Sequence, residues 1–377
     1  DPYPSDPFNL FDLRAAGEDG LFDTGDDQVY RLAPGSYSGG LSLAFGIPDG
    51  PLQPGQYRFR VTTSLRDRFG NALPAPLDQF FVIAPTPPFT VENRANNAAA
   101  GATPLAMNES PTGLRTGFGR GKLFDNNDVD YWSFSAQAGD ILSFATEVPG
   151  QPGASELRYE VLNPDGVRIL NYYPGYYGTG QAEPVALTTN GVYLVRISLN
   201  YGFHNEHRFR VSLAGAPMQV ESEGNDSLAN ADALALAVSG DSRFASMLGA
   251  PQSAADLDYY NLGTLTNGSS VFLSVRLPGG SAYVPVVSLY NAANQYQPEA
   301  NNGSAGDSVA EVRITATGTY YALVRGAVAV GDLQAQYILD VQAVPTGAVS
   351  FPNLIVTAIT LPAGAPQSGQ PVSFTFT

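Results

Sequence analysis

The sequence predicts an all-β chain built as tandem β-sandwiches, on three observations. Segments of strict two-residue alternation recur at 57–63, 193–199, 271–277 and 311–315, which marks strands with one buried face. Glycine (40) and proline (29) punctuate the chain, with turn signals at Pro54-Gly55, Gly70-Asn71, Pro164-Asp165-Gly166, Asn267-Gly268 and Pro278-Gly279-Gly280, so strands are short and end in turns. Finally, residues from about 92 to 211 are written a second time from about 221 to 341. Evenly spaced short strands suit sandwiches, and an internal repeat makes them a series.

In chain order, residues 1–84 form a first sandwich, in which 57–63 is the clearest strand. The proline-dense stretch 84–90 follows as a semi-stiff spacer. Residues 91–214 and 220–344 are the two repeats, separated by 214–219. The first opens with Glu92, Asn96 and Asn97, the second with Glu221, Glu223, Asn225 and Asp226. Asp128, Asp130 and Tyr131 answer to Asp256, Asp258 and Tyr259. Trp132 with Phe134, and Tyr260 with Leu262, alternate after these motifs and read as core. Glycine-led strands begin at Gly191 and Gly318, and aromatic-led final strands at Phe209 and Tyr337. An Ala- and Leu-rich run at 227–237 is the one helical-looking segment. Residues 352–377 start a further module. The chain is expected to begin inside its first domain and to stop within a strand.

What recurs most clearly is acidic and amide side chains, the donors a hard cation takes. The formal charge of −16, from 35 Asp+Glu against 19 Lys+Arg, argues against nucleic acid or an anionic membrane as partner, since both need a positive surface. With no cysteine there is no disulfide framework, thiolate metal site or cysteine nucleophile. No stretch approaches the roughly 20 apolar residues of a membrane span, and membrane insertion is not expected. No signal peptide opens the chain, which suits a mature or trimmed product.

On the Glu-x-Glu-x-Asn-Asp, Asp-x-Asp-Tyr and Gly-Thr-Tyr-Tyr motifs, clearest in the second unit, the repeat resembles the bacterial pre-peptidase C-terminal domain. That family is a jelly-roll-like sandwich attached to secreted hydrolases. The resemblance covers about two thirds of the chain. It implies a calcium site formed by Glu221, Glu223, Asn225, Asp226, Asp256 and Asp258. Alternate residues of an extended segment point the same way, so Glu221, Glu223 and Asn225 share a side. In the first unit Arg94 and Asn97 replace two acids. Glu92, Asn96, Asp125, Asp128 and Asp130 remain, for a site expected to be weak or empty with Arg94 standing in for the cation. The same acids also suit local turn capping.

Residues 52–61 and 65–73 resemble bacterial Ig-like modules of exported proteins, and 352–374 resembles the opening of adhesion-related sandwich domains. Within the first domain Asp19, Asp23, Asp26 and Asp27 crowd between glycines. They read as a solvated acidic turn, with a further calcium site as the alternative. Tyr172, Tyr173, Tyr176 and Tyr177 surround a Pro-Gly turn and offer either an aromatic platform for a ligand or a loop cover. His204 and His207 read as a polar surface loop, with no third zinc ligand evident. No nucleophile elbow or phosphate-cradling loop occurs. The expected function is therefore non-catalytic: a calcium-stabilised spacer and adhesion region of an exported bacterial protein, at the cell surface or outside the cell. Its partners would be an extracellular protein, a polysaccharide or copies of itself. Two alternatives stand beside it. One is the substrate-binding accessory region of a secreted peptidase or polysaccharide hydrolase. The other is a surface-layer or filament subunit joined by strand addition.

Overall fold

The computed structural model describes residues 9–35, 42–48, 50–147, 156–174, 180–201, 206–252, 255–279, 281–299, 308–326 and 333–347. The expected strands of 352–377 lie outside these residues. The fold is all-β, and the only helix among the described residues is a single 3-10 turn, Ala99–Gly101.

The N-terminal sheet is antiparallel, in the order Gln28–Tyr30, Phe11–Ala15, Gly55–Val61, Leu77–Ile83. Alternation along Phe11–Ala15 and Gly55–Val61 sends Leu13, Ala15 and Tyr57 inward, where they meet Tyr30 and Leu32. The Tyr57 ring stacks on Phe81 at 5.2 Å. Leu77–Ile83 is an edge strand, and its Leu77, Phe80 and Val82 are exposed.

The first repeat packs two sheets together. One runs Gly180–Gln181, Ile141–Glu147, Glu206–Ala214, Leu114–Lys122, Phe89–Val91, and the other runs Arg168–Tyr172, Glu156–Leu162, Gly191–Tyr201, Val129–Ala136, Thr103–Pro104. The second repeat copies this. Gln219–Val220, Ser242–Gly249, Tyr337–Val344, Ser270–Arg276 and Val309–Arg313 make one sheet. Asp232–Ala233, Leu257–Leu265, Gly318–Gly326 and Pro285–Asn291 make the other. In both repeats a short opening strand joins each sheet in parallel, whereas the long strands pair antiparallel.

Each repeat has its own core. Trp132, wholly buried, meets Phe209 edge-on at 5.1 Å. Tyr260, Leu273, Val287 and Leu339 sit in the second core. The run at 227–237 is not a helix: one turn at Ser227–Asn230 leads into the strand Asp232–Ala233, and Leu234 donates its N–H to Asn261 O. A helix of about eleven residues is marginal by itself, whereas sheet pairing also buries Leu234.

Candidate metal centres

Both repeats build the same frame at one end of the sandwich, where the opening strand leaves its sheet. Glu92 donates its N–H to Arg120 O (3.0 Å), and its carboxylate accepts from Lys122 N (3.1 Å). Glu221 likewise donates to Leu248 O (3.0 Å) and accepts from Ala250 N. Each glutamate thereby spans a glycine, Gly121 or Gly249, whose missing side chain makes the room. An added Cβ would lie 2.0 Å from Glu92 Oε2 and 2.8 Å from Glu221 Oε2 respectively. The facing sheet supplies Asp130 or Asp258. The carbonyls of Asn96 and Asn225 accept from Tyr131 N and Tyr259 N, which ties the opening segment to that sheet.

In the second repeat Glu221, Asp258 and Asn225 are buried. Tyr260 donates its hydroxyl to Glu221, Tyr337 donates to Asp258 Oδ2 at 2.5 Å, and the two hydroxyls lie 2.5 Å apart. Burial and the Asp258 charge hold Glu221 well above the usual carboxylate range. Burial, then Asp256, does the same to Asp258. Glu223 is pushed up to about 8 by burial and by Asp256. Burial also raises Asp256, whose Oδ2 accepts from Gln252 N, and Asp226 lies close enough to add to this. Glu223 Oε1, Asp258 Oδ1 and Asn225 Nδ2 have no hydrogen-bond partner. Unsatisfied oxygens among mutually repelling acids fit a hard divalent cation, which takes six to eight oxygens in flexible geometry. Arg210 and Tyr172 of the first repeat lie within electrostatic reach of Glu223, so the cluster borders the junction between repeats.

In the first repeat Glu92, Asp130 and Asn96 are buried, and with them is His207 at 0% exposure. Each of Glu92, Asp130 and His207 places a ligand atom within 4.8 Å of the others. His207 Nε2 lies 3.5 Å from Asp130 Oδ2. Both ring nitrogens, Asp130 Oδ2 and Asn96 Nδ2 lack hydrogen-bond partners. Burial pushes Asp130 up to about 7, and burial with the Asp130 charge raises Glu92 well above its ordinary value. Burial alone lowers His207 to about 3.

Two expectations are corrected here. His207 is not in a surface loop but in the strand Glu206–Ala214, opposite Gly121; His204 lies outside the described residues. It takes the place that Tyr337 holds opposite Gly249. Aligning Phe209 with Tyr337 is therefore two residues out of step, and a slip of two leaves every side chain on the same face. Secondly, Arg94 does not stand in for a cation between the carboxylates. Its guanidinium lies over the Tyr30 ring, 4.2 Å from the centroid, and donates to Val29 O. Asp125 and Asp128 accept from Asn127 N and Phe124 N, and the Asp128 charge still reaches Glu92 and Asp130. With Arg31, Pro48 and Asn97 they line a cleft of about 380 Å³.

The acids of the N-terminal turn are drawn to arginines and local donors. Asp23 takes both Arg58 nitrogens at 2.7 Å, and Asp27 takes Arg14 at 3.1 Å. Asp26 accepts from Thr24 and Asp19 from Leu21 N. The Arg58 guanidinium lowers Asp23 to about 2. Tyr172 packs against the first repeat's core, Tyr173 is exposed, and Tyr176 and Tyr177 lie outside the described residues.

No family model and no curated protein matches the chain. Among solved structures it is similar to the PBSX exported protein XepA (10% identity, TM-score 0.20, 59% of this chain and 84% of that one). The tandem CBM22-1-CBM22-2 domain of Paenibacillus barcinonensis Xyn10C gives 12% identity and a TM-score of 0.21, over 67% of this chain and 100% of that one. Tripeptidyl peptidase 2 gives 11% and 0.22, over 90% of this chain and 30% of that one. Likenesses this remote carry no functional argument. No helix among the described residues is long and apolar enough to cross a membrane.

Proposed function

We propose that the chain is a non-catalytic spacer and binding region of an exported bacterial multidomain protein, with calcium stiffening the junction between its repeats. Its ligand would be an extracellular protein or polysaccharide. Glu223, Asn225, Asp226, Asp256 and Asp258 would hold the ion, with Glu221 anchored behind them by Tyr260. The observation that carries this reading is the second repeat's oxygen cluster: acids raised by burial and then by one another, two carboxylate oxygens without a donor, and a position against the first repeat. A divalent ion would offset the repulsion and cross-link the opening segment to the facing sheet. Each sandwich has an apolar core of its own, so loss of the ion should loosen the junction before it unfolds a repeat, unlike a fold that depends on its metal.

Thermal unfolding in calcium and in chelator tests this on the wild type and on Asp256→Asn. At calcium a hundredfold above its dissociation constant, linkage gives about 2.7 kcal/mol, or roughly 10 °C for a domain of this size. The rise should be lost in Asp256→Asn. No calcium-dependent rise in the wild type would overturn the reading.

The exposed edge strand Leu77–Ile83, with Leu77, Phe80 and Val82 outward, favours a second reading: self-assembly by strand addition. Sedimentation at high concentration, with Val82→Lys as the blocking variant, should then give oligomers that the variant dissolves. A wild type that stays monomeric excludes it.

A further inference from the structure

The first repeat carries the same two inner carboxylates as the second, but not the hydroxyls that satisfy them. Trp132 stands where Tyr260 stands, and His207 where Tyr337 stands. We propose that Glu92, Asp130 and His207 form a buried site for a divalent transition-metal ion such as zinc, different in chemistry from the oxygen cluster of the second repeat.

Geometry supports the site. Two ligands each about 2.1 Å from a tetrahedral zinc lie roughly 3.4 Å apart, and His207 Nε2 and Asp130 Oδ2 are 3.5 Å apart. The third ligand, the Glu92 carboxylate, comes from the other side of Gly121. A Cβ there would stand 2.0 Å from Glu92 Oε2 and 2.9 Å from His207 Nε2, so the glycine holds open the point on which both converge. A histidine kept for packing normally satisfies at least one ring nitrogen when buried, whereas here neither has a partner. Asp130 Oδ2 is unpartnered as well, and Asp130 and Glu92 are each only 1% exposed. Two carboxyls removed from water must share a proton or take a compensating charge, and Arg94 is turned away to Tyr30. An imidazole with two carboxylates suits zinc, manganese or cobalt, whereas calcium takes oxygen alone.

Because all three side chains are enclosed, the ion would enter as the chain folds. The test is to unfold the whole chain in chelator, remove the chelator, and refold with one equivalent of zinc, or of cobalt as a visible probe, in excess calcium. Gel filtration followed by elemental analysis should find one zinc per chain. Cobalt should give the visible absorption of a nitrogen- and oxygen-ligated ion. His207→Tyr, which copies the second repeat, should fold and lose at least nine tenths of the metal, as should Glu92→Gln. Nitrogen-15 NMR of the wild-type histidines provides a readout that needs no variant: one imidazole nitrogen should shift on loading with zinc. A wild type that refolds without retaining zinc, a folded His207→Tyr that keeps it, or unshifted histidine nitrogens would each overturn the proposal.

Discussion

At His207 and Tyr337 the two repeats put different chemistry on one backbone position, opposite Gly121 and Gly249. A phenol supplies a proton to the carboxylate it meets, whereas a neutral imidazole with both nitrogens unpartnered leaves that carboxylate unsatisfied. The consequence should be visible in the pH dependence of the metal-free protein. Asp130 is raised to about 7 from 3.8, and Glu223 to about 8 from 4.5. Across that range the folded chain keeps protons that the unfolded chain has released, so stability falls as pH rises. His207, lowered to about 3 from 6.5, acts in the opposite sense. Its stabilising contribution grows as pH rises from about 3 and is complete above 6.5, where the histidine is neutral in both states. Between pH 6.5 and 8 only the carboxyls remain. In chelator, the melting temperature should therefore drop between these two values, and calcium with zinc should flatten the slope. A melting temperature that holds steady or climbs there would contradict the assignment of the clusters as ionic strain.

At the scale of the element, alternation decided most strands, since a strand with one buried face needs little beyond a period of two. Ser270–Arg276 shows it: Val271, Leu273 and Val275 go into the core between the strands Tyr337–Val344 and Val309–Arg313. Leu273→Ala should cost about 2–5 kcal/mol through lost burial and the cavity left behind. Val238→Ala, on an exposed side chain, should stay within about 0.5 kcal/mol. Urea unfolding of both checks this. The run at 227–237 went the other way because its composition favours a helix while its neighbours offer a sheet edge. Asp232 takes both the backbone N–H and the hydroxyl of Ser222 at 2.7 Å, and a helix would forgo those bonds.

Across the whole molecule, the repeats are joined by more than their linker. Arg210, at 1% exposure in the first repeat, donates to Leu333 O of the second at 2.8 Å and to Gln181 at 3.0 Å. Ser212 donates to Gln336 at 3.1 Å. Leu114, Ala214 and Met218 pack with Leu248 and Ile338 in an apolar patch across the junction. Arg210→Ala strips the Leu333 carbonyl of a buried donor, at about 1–3 kcal/mol. Proteolysis within 215–218 should accelerate and the radius of gyration in solution should grow, with both cores still folded. If neither changes, the patch and linker hold the junction without Arg210.

Alternation, turn residues and the internal repeat determined the all-β class and most of its strands, because these are local properties. The recurring Glu92/Glu221 and Asp130/Asp258 pairs were legible as well, since polar residues at fixed spacing stand out of an apolar rhythm. Which of the acids would be buried was not, because exposure depends on the facing sheet. Asp23 and Asp27 show the same limit: nothing in their spacing foretells Arg58 and Arg14 as partners. His207 had a signal in the repeat, as the counterpart of Tyr337, but a slip of two residues preserves the face of a strand and hides the match. Only the tertiary structure decided that Glu92, Asp130 and His207 meet, because two strands and the residue that follows a third, all distant in sequence, converge beside a glycine and shut water out.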